Sequence, residues 1–242
     1  MRRRFFVKQF TGSSAVIDGD AAHHLGHVLR AQAGQLYELS DGSVAWLSRI
    51  ESVARHRVEF ALLEQLPAPK PGANTTLLLS IVKFDAFEWA IEKATELGVT
   101  RIIPVGASRS EKGLLDAAAK RSERWQKILL EASQQSRRLR IPQLEDLANP
   151  LKAFEGQSSK YCLMLSERSD APSIRTTLNS LRSPKPATAA LAVGPEGGWT
   201  DEELSSARAA GFQEASLGHL ILRTETAVIA ALATLNFALS AD

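Results

Sequence analysis

The segment Leu66-Pro-Ala-Pro-Lys-Pro-Gly72 separates two hydrophobic rhythms that do not suit the same kind of sheet. Its prolines and glycine make a stiff spacer that neither a helix interior nor a central strand accepts. Before it, apolar residues recur in short alternating runs at Phe5–Val7, Ala15–Ile17, Leu36–Leu39, Val44–Ile50 and Arg57–Leu63. Thr11-Gly12, Asp18-Gly19 and Asp41-Gly42 mark turns between them. A period of two buries one face of each strand, so residues 1–70 are expected to form a small β-rich barrel or sandwich. One helix interrupts the pattern, from Asp20 at its N-cap to Arg30, with Gly34 just beyond.

After the spacer, apolar runs alternate with helical periods. Leu77–Val82 reads as a strand. Asp85-x-x-Glu88 has capping-box spacing, and Trp89, Ile91, Ala94 and Leu97 follow at helical period up to Gly98. Ile102–Val105 is the next strand, residues 116–135 a long helix, and Tyr161–Leu165 and Ala189–Val193 buried strands. Thr200-x-x-Glu203 is a second capping box whose helix ends at Gly211. Ala215–Leu217 reads as a short strand and Glu225–Leu239 as a terminal helix capped by Thr224. Strands alternating with helices predict a parallel α/β sheet.

Composition narrows the function classes. The single Cys162 excludes an internal disulfide and a cysteine zinc site, and it reads as a buried strand residue. No apolar stretch reaches 18 residues, so no membrane span is expected. The basic N-terminus lacks the apolar core of a signal peptide, so a soluble cytoplasmic protein is the expectation. His23-His24-Leu25-Gly26-His27 lacks the glutamate of H-E-x-x-H, and no metal is predicted there. A packed or nucleic-acid-contacting helix surface is the better reading of that run.

Total charge says little about partners, with 29 Lys+Arg against 27 Asp+Glu. Its distribution says more. Arg2, Arg3, Arg4 and Lys8 interleave with Phe5 and Phe6, and Arg137, Arg138 and Arg140 form a second cluster. Lys120, Arg121, Arg124 and Lys127 share one predicted helix. Such clusters suit a phosphate backbone, and equally a solvated helix face and a frayed terminus.

The loop Val193-Gly-Pro-Glu-Gly-Gly-Trp-Thr200 is the strongest site signal, since it joins an apolar strand to a capped helix. It satisfies neither G-x-G-x-x-G nor the P-loop pattern. A glycine-rich loop at the C-terminal end of a parallel strand still marks the place where α/β sheets take ligands, because glycine lets backbone approach closely. Leu217-Gly-His-Leu-Ile-Leu-Arg-Thr-Glu-Thr-Ala227 is a second such loop, with Arg223, Thr224, Glu225 and Thr226 beside core-like Ile221-Leu222. Together they suggest one pocket with shared walls.

Leu191-Ala-Val-Gly-Pro-Glu-Gly-Gly-Trp-Thr-Asp-Glu-Glu203, with Gly211-Phe212, Leu217-Gly218 and Ile221-Leu-Arg-Thr-Glu-Thr-Ala227, resembles the RsmE-type methyltransferases of the SPOUT superfamily. Arg3-Arg-Phe-Phe6, His24-x-x-His-Val-Leu-Arg30, Glu92-Lys-Ala-Thr-Glu-Leu-Gly-Val99, Ile103-Pro104, Trp125-x-x-Ile128, Glu131-Ala132 and Gln135-Ser-x-Arg138 extend the resemblance over essentially the whole chain.

The resemblance implies an α/β protein with an N-terminal PUA-like β-barrel, 1–70, that helps hold RNA. It implies a SPOUT methyltransferase domain over 73–242 with a deep trefoil knot within about 190–242. Such knots are rare exceptions to ordinary chain topology. The implied activity is methyl transfer from S-adenosylmethionine to N3 of one uridine in small-subunit (16S) ribosomal RNA. Homodimers acting on assembled small subunits are implied too, without membrane or metal.

By motif, the cofactor positions are Gly194, Glu196, Gly197, Gly198, Leu217, Gly218, Ile221, Leu222, Arg223 and Thr226. The RNA-side positions are Arg3, Arg4, His24, Arg30, Lys83, Arg137 and Arg138. Arg138, with Arg109, is expected to stabilise charge on the uridine carbonyls, and Glu196 is the candidate proton acceptor. N3 lies on the pairing edge, so the target base must be unpaired or flipped out. The chain departs from the family pattern in having Phe84 where a glycine usually follows the lysine. Ser108 stands in place of a common glutamate, and Arg137 in place of a common glycine or asparagine. Two alternatives remain at this point: a non-catalytic RNA-binding or ribosome-assembly protein, and a knotted methyltransferase acting on transfer RNA or a ribose hydroxyl.

Overall fold

The computed structural model describes residues 3–68, 72–179 and 188–239. Arg2, part of the proline-rich spacer and the end of the 190–242 segment lie outside them. The chain divides into two units, Met1–Lys70 with Ser133–Ile141, and Pro71–Ala132 with Pro142–Asp242.

The first unit is a five-stranded sheet of β1 (Arg4–Phe6), β2 (Ser14–Asp18), β3 (Leu36–Ser40), β4 (Ala45–Ala54) and β5 (Arg57–Gln65), in the order β1-β3-β4-β5-β2. β1 and β3 run parallel, and the other pairs are antiparallel. The alternation predicted from sequence turns Phe5, Ala15, Ile17, Val58 and Phe60 inward onto one core. The register of β4 against β5 shifts at Leu47/Ser48 and Ile50/Ser52, the irregularity of a β-bulge.

The helix expected from Asp20 to Arg30 is α1 (Gly19–His23) followed by a π-helical turn over His24–Val28. Asp18, not Asp20, takes the N-cap position, because the chain turns into the helix one residue later at Gly19, which adopts φ +67°. Gly26 admits the close approach of this turn to β4: a Cβ there would stand 3.2 Å from the Val53 Cγ1. Ala22 and Leu25 are fully buried against the sheet, while His24 and Arg30 face solvent.

The second unit is a six-stranded sheet of β6 (Asn74–Ser80), β7 (Arg101–Val105), β8 (Gln143–Leu144), β9 (Tyr161–Leu165), β10 (Thr188–Val193) and β11 (Gln213–Ala215). Its order is β11-β9-β10-β6-β7-β8 and every pairing is parallel, as the alternation of strands and helices predicted. The helices are α2 (Phe84–Glu96), α3 (Lys112–Ala118), α4 (Ser122–Gln135), α5 (Pro150–Glu155), α6 (Ile174–Leu178), α7 (Asp201–Ala209) and α8 (Thr224–Leu239). Strand residues alternate between two cores. Leu77, Leu79, Leu163 and Leu191 pack with Phe87, Trp125 and Leu232 of α2, α4 and α8. Leu78, Met164, Ala190 and Ala192 pack with Phe154 and Leu204 of α5 and α7. Burial on both faces is why these strands read as continuous apolar runs. It also pushes the Cys162 thiol up from its ordinary pKa.

Three local expectations fail for physical reasons. Asp85-x-x-Glu88 is not a capping box, since Lys83 is the cap residue and no side chain closes the turn. The buried Glu88 carboxylate turns instead to Arg124, at 2.7 Å, and Arg121, at 3.4 Å, where a guanidinium is a stronger partner than a backbone amide. Arg121 also lies 4.4 Å over the Phe84 ring, so that aromatic serves packing. The helix expected over 116–135 breaks into α3, a 3-10 turn at Ala119–Arg121, and α4. The strand expected at Ala215–Leu217 is Gln213–Ala215, which leaves Leu217 in the following loop.

Candidate functional site

A cavity of about 440 Å³ opens at the C-terminal ends of β9 and β10, a size suited to a small organic ligand. Strand order dictates the place. From β6 the chain builds outward to β7 and β8 on one side, while β10, β9 and β11 fill the other. Crevices beyond the strand ends at such reversals are where open α/β sheets take ligands.

The first wall is the loop after β10. A Cβ on Gly194 would stand 3.1 Å from the Trp199 indole, so only glycine lets the ring fold back beneath the strand end. Gly198 sits at φ +69°, and a Cβ there would lie 3.0 Å from Oε1 of Glu167. The loop closes on α7 through the capping box read from the sequence. The Thr200 hydroxyl accepts from the Glu203 amide at 3.2 Å, and Glu203 Oε2 accepts from the Thr200 amide at 2.8 Å. Buried Glu203 reaches further. Its Oε1 accepts from the Ser108 amide at 2.8 Å and so anchors the loop after β7. Arg109 then points at the glycines, and its Nη1 donates to the carbonyls of Gly197, at 2.7 Å, and Trp199, at 3.2 Å.

The second wall follows β11. Ser216 donates through Oγ to the Gly218 carbonyl at 2.9 Å, and Gly218 adopts φ +134°. Leu220 and Ile221 stand 70% and 79% exposed at the rim, unusual for such side chains and a reason to expect a covering partner or ligand. Thr224 does not cap α8. It is the first helical residue, and its Oγ1 donates to the Gly194 carbonyl at 3.3 Å, which ties the second wall to the first.

Of the residues predicted from motifs, Gly194, Glu196, Gly198, Leu217, Gly218, Ile221, Leu222 and Arg223 line this cavity, as does Arg109. Gly197 faces Arg109 instead, and Thr226 is exposed in the first turn of α8, beside the lining residue Ala227. Sequence reasoning missed Ser166, Glu167, Arg168 and Asp201. The first three follow β9, and the abrupt step from apolar Leu165 to Ser166-Glu167-Arg168 was the available signal. Arg168 bridges Asp201 at 2.8 Å and Asp170 at 3.2 Å, and it holds the Asp170 carboxyl below its usual range.

The RNA-side positions lie elsewhere. Lys83 is exposed just ahead of α2, and Arg3, His24 and Arg30 are exposed in the first unit. His23 and His27 stack beside them with ring centroids 4.8 Å apart. Arg4 is not free, because its side chain is 12% exposed and it pairs with Glu38 at 2.9 Å. Arg121 and Arg124 of the third basic cluster are likewise committed to Glu88. Arg137 and Arg138 belong to the first unit. Burial lowers the Arg138 pKa to about 10, so it remains a cation at neutral pH. Among the described residues, no helix is long and apolar enough to cross a membrane, and no group of His, Cys, Asp and Glu is arranged to hold a metal ion.

Residues 69–236 match the model of an RNA methyltransferase domain, and residues 17–63 match an RNA methyltransferase PUA domain. The chain is 36% identical to the ribosomal RNA small subunit methyltransferase E of Synechocystis, over 88% of this chain and 70% of that protein. It is 31% identical to the protein of the same name from Bacillus subtilis, over 91% of this chain and 89% of the relative. A crystal structure of that methyltransferase from Neisseria gonorrhoeae, bound to S-adenosyl methionine, superposes with a TM-score of 0.86 at 32% identity and covers 98% of both chains. A methyltransferase from Legionella pneumophila in complex with the same cofactor gives 0.87 at 28% identity, again over 98% of both chains.

Proposed function

Because the chain belongs to the ribosomal RNA small subunit methyltransferase E family, we propose that it methylates N3 of one uridine in small-subunit (16S) ribosomal RNA with S-adenosylmethionine as donor. The observation that carries this reading is the cavity of about 440 Å³ behind glycine loops that side-chain and backbone bonds hold in shape.

The residues present fit such a donor. Gly194 and Gly198 let Trp199 and Glu167 pack directly against the loop backbone, so the loop keeps a shape whose main-chain groups can face a flat ring. Backbone at Gly194, Glu196, Gly197, Gly198, Leu217 and Gly218 would hold adenine and ribose, with Ile221, Leu222, Arg223 and Thr226 completing the enclosure. When bound, the cofactor supplies a methyl group already activated on a sulfonium, so the protein's work is alignment and charge. Arg138 meets the negative charge that develops on the pyrimidine carbonyls as N3 gives up its proton. Glu196, exposed in the glycine loop, is the proton acceptor. Arg109, committed through Nη1 to two loop carbonyls, acts first by holding the loop.

The finer organisation belongs to the same proposal. Residues 1–70 serve as a PUA-like RNA-holding domain, with Arg3, His24, Arg30 and Lys83 on the RNA side, whereas Arg4 and Arg137 are committed to Glu38. Residues 73–242 form the SPOUT domain, its knot within about 190–242. The protein works in the cytoplasm as a homodimer on assembled small subunits. Trp89 of α2 and Phe237 of α8, 44% and 86% exposed on two helices that pack together, suit burial by a second copy.

The test is to incubate the protein with methyl-labelled S-adenosylmethionine and small subunits from a strain lacking the activity, then identify the labelled nucleoside. 3-Methyluridine is expected. Label in a ribose or another base, or no label at all, contradicts the proposal.

A further inference from the structure

Arg137 is one of two non-glycine residues at positive φ among the described residues, at +55°. A side chain with a Cβ enters that region only against steric repulsion. Here neighbouring groups impose it. Glu38, on β3 and 10% exposed at its side chain, receives Arg4 at 2.9 Å and Arg137 at 3.5 Å on its two carboxylate oxygens. Arg4 Nη1 also donates to the Arg137 carbonyl at 2.7 Å, so the carboxylate and its partner grip both ends of that residue. Further along β3, Ser40 Oγ donates to the Leu139 carbonyl at 2.8 Å. Arg140 Nε donates to the Gly42 carbonyl in the following turn. Arg138 lies between these anchors, with its own Nε donating to the Arg140 carbonyl at 3.1 Å.

We infer that Glu38, acting through Arg4 and Arg137, is a positioning residue that holds the segment 137–140 in the one backbone shape presenting Arg138 to its substrate. This rests on the reading of Arg138 given above. The chain carries an arginine at this left-handed position and offsets the steric penalty with a buried carboxylate. Arg4 and Arg137, expected on the RNA side from the sequence, are thereby structural partners of the Arg138 segment.

The test uses the full-length protein, labelled S-adenosylmethionine and unmethylated small subunits, with kcat and KM measured separately. Arg137→Ala keeps the penalty and loses the side-chain pairing with Glu38, so kcat falls by about tenfold, the population lost when a left-handed conformation is held by the Arg4 bond to its carbonyl alone. Arg137→Gly loses that pairing and the penalty together, so its kcat exceeds that of the alanine variant by about fivefold. Glu38→Gln follows Arg137→Ala in direction, with cofactor affinity by calorimetry unchanged. If glycine is no better than alanine, and both variants lose affinity for subunits equally through KM, Arg137 acts by its charge on RNA and the inference is overturned. Arg138→Ala separates the two layers: an unchanged kcat there sinks the reading of Arg138 itself, whereas equal glycine and alanine variants sink only the clamp.

Discussion

The glycine loop after β10 and the arginine segment 137–140 meet the same stereochemical demand by opposite means. Gly198, at φ +69°, adopts its conformation without opposition, and Arg109 and Glu167 pack into the room its missing side chain leaves. Arg137, at +55°, is held in a similar conformation by Glu38, Arg4 and the edge of the first sheet. The first device suits a wall that backbone must form against a ligand. The second suits a loop whose purpose is to present a charged side chain. A glycine loop is legible in a sequence, because the residue type itself announces the shape. A clamped loop is not, because the cause sits about a hundred residues away.

The largest effect should come from the charge the clamped segment presents. Arg138→Ala is expected to lower kcat by about a hundredfold or more, in the range seen on removing one donor to a developing anion. Cofactor affinity should not change, and single-turnover methylation alongside calorimetry checks both. Next is the glycine wall. Gly198→Val places a β-branched residue at φ +69° against Glu167, and the cofactor dissociation constant should rise by about a hundredfold. Equal binding by this variant would break the comparison, since the loop would not need its glycine. Arg109→Met removes the bonds to the Gly197 and Trp199 carbonyls, and cofactor affinity should fall by about tenfold, roughly the worth of one charged hydrogen bond. The smallest expected effect is on stability alone. Thr200→Ala deletes the hydroxyl of the α7 cap and should cost about 1 kcal/mol, read as a melting temperature a few degrees lower.

Local pattern explains what could be read beforehand. Tyr161–Leu165 is a strand over the residues expected, Thr200 and Glu203 make the reciprocal cap, and Gly98 and Gly211 close their helices at positive φ. Each of these depends on neighbours within a few residues. Glu88 shows the limit. Its spacing from Asp85 imitates a cap, but its partner Arg124 comes from another helix. Ser166, Glu167 and Arg168 border the same cavity but carry no glycine signature to mark them in the sequence. The short helices α5 and α6 depend on caps at Asn149 and Ser173 and on too few residues to show a period. Most cavity-lining positions follow from glycines and strand ends, whereas the contacts of Arg4, Glu38 and Arg109 emerge only across the fold.

Calorimetric titration of S-adenosylmethionine into the intact protein and its Gly198→Val variant, with thermal melts confirming that both are folded, tests most directly whether the glycine-walled cavity is the donor site. Saturable binding at one site per chain in the native protein, weakened about a hundredfold in the folded variant, is the predicted result. Absence of binding in the native protein, or equal affinity in both, would contradict it.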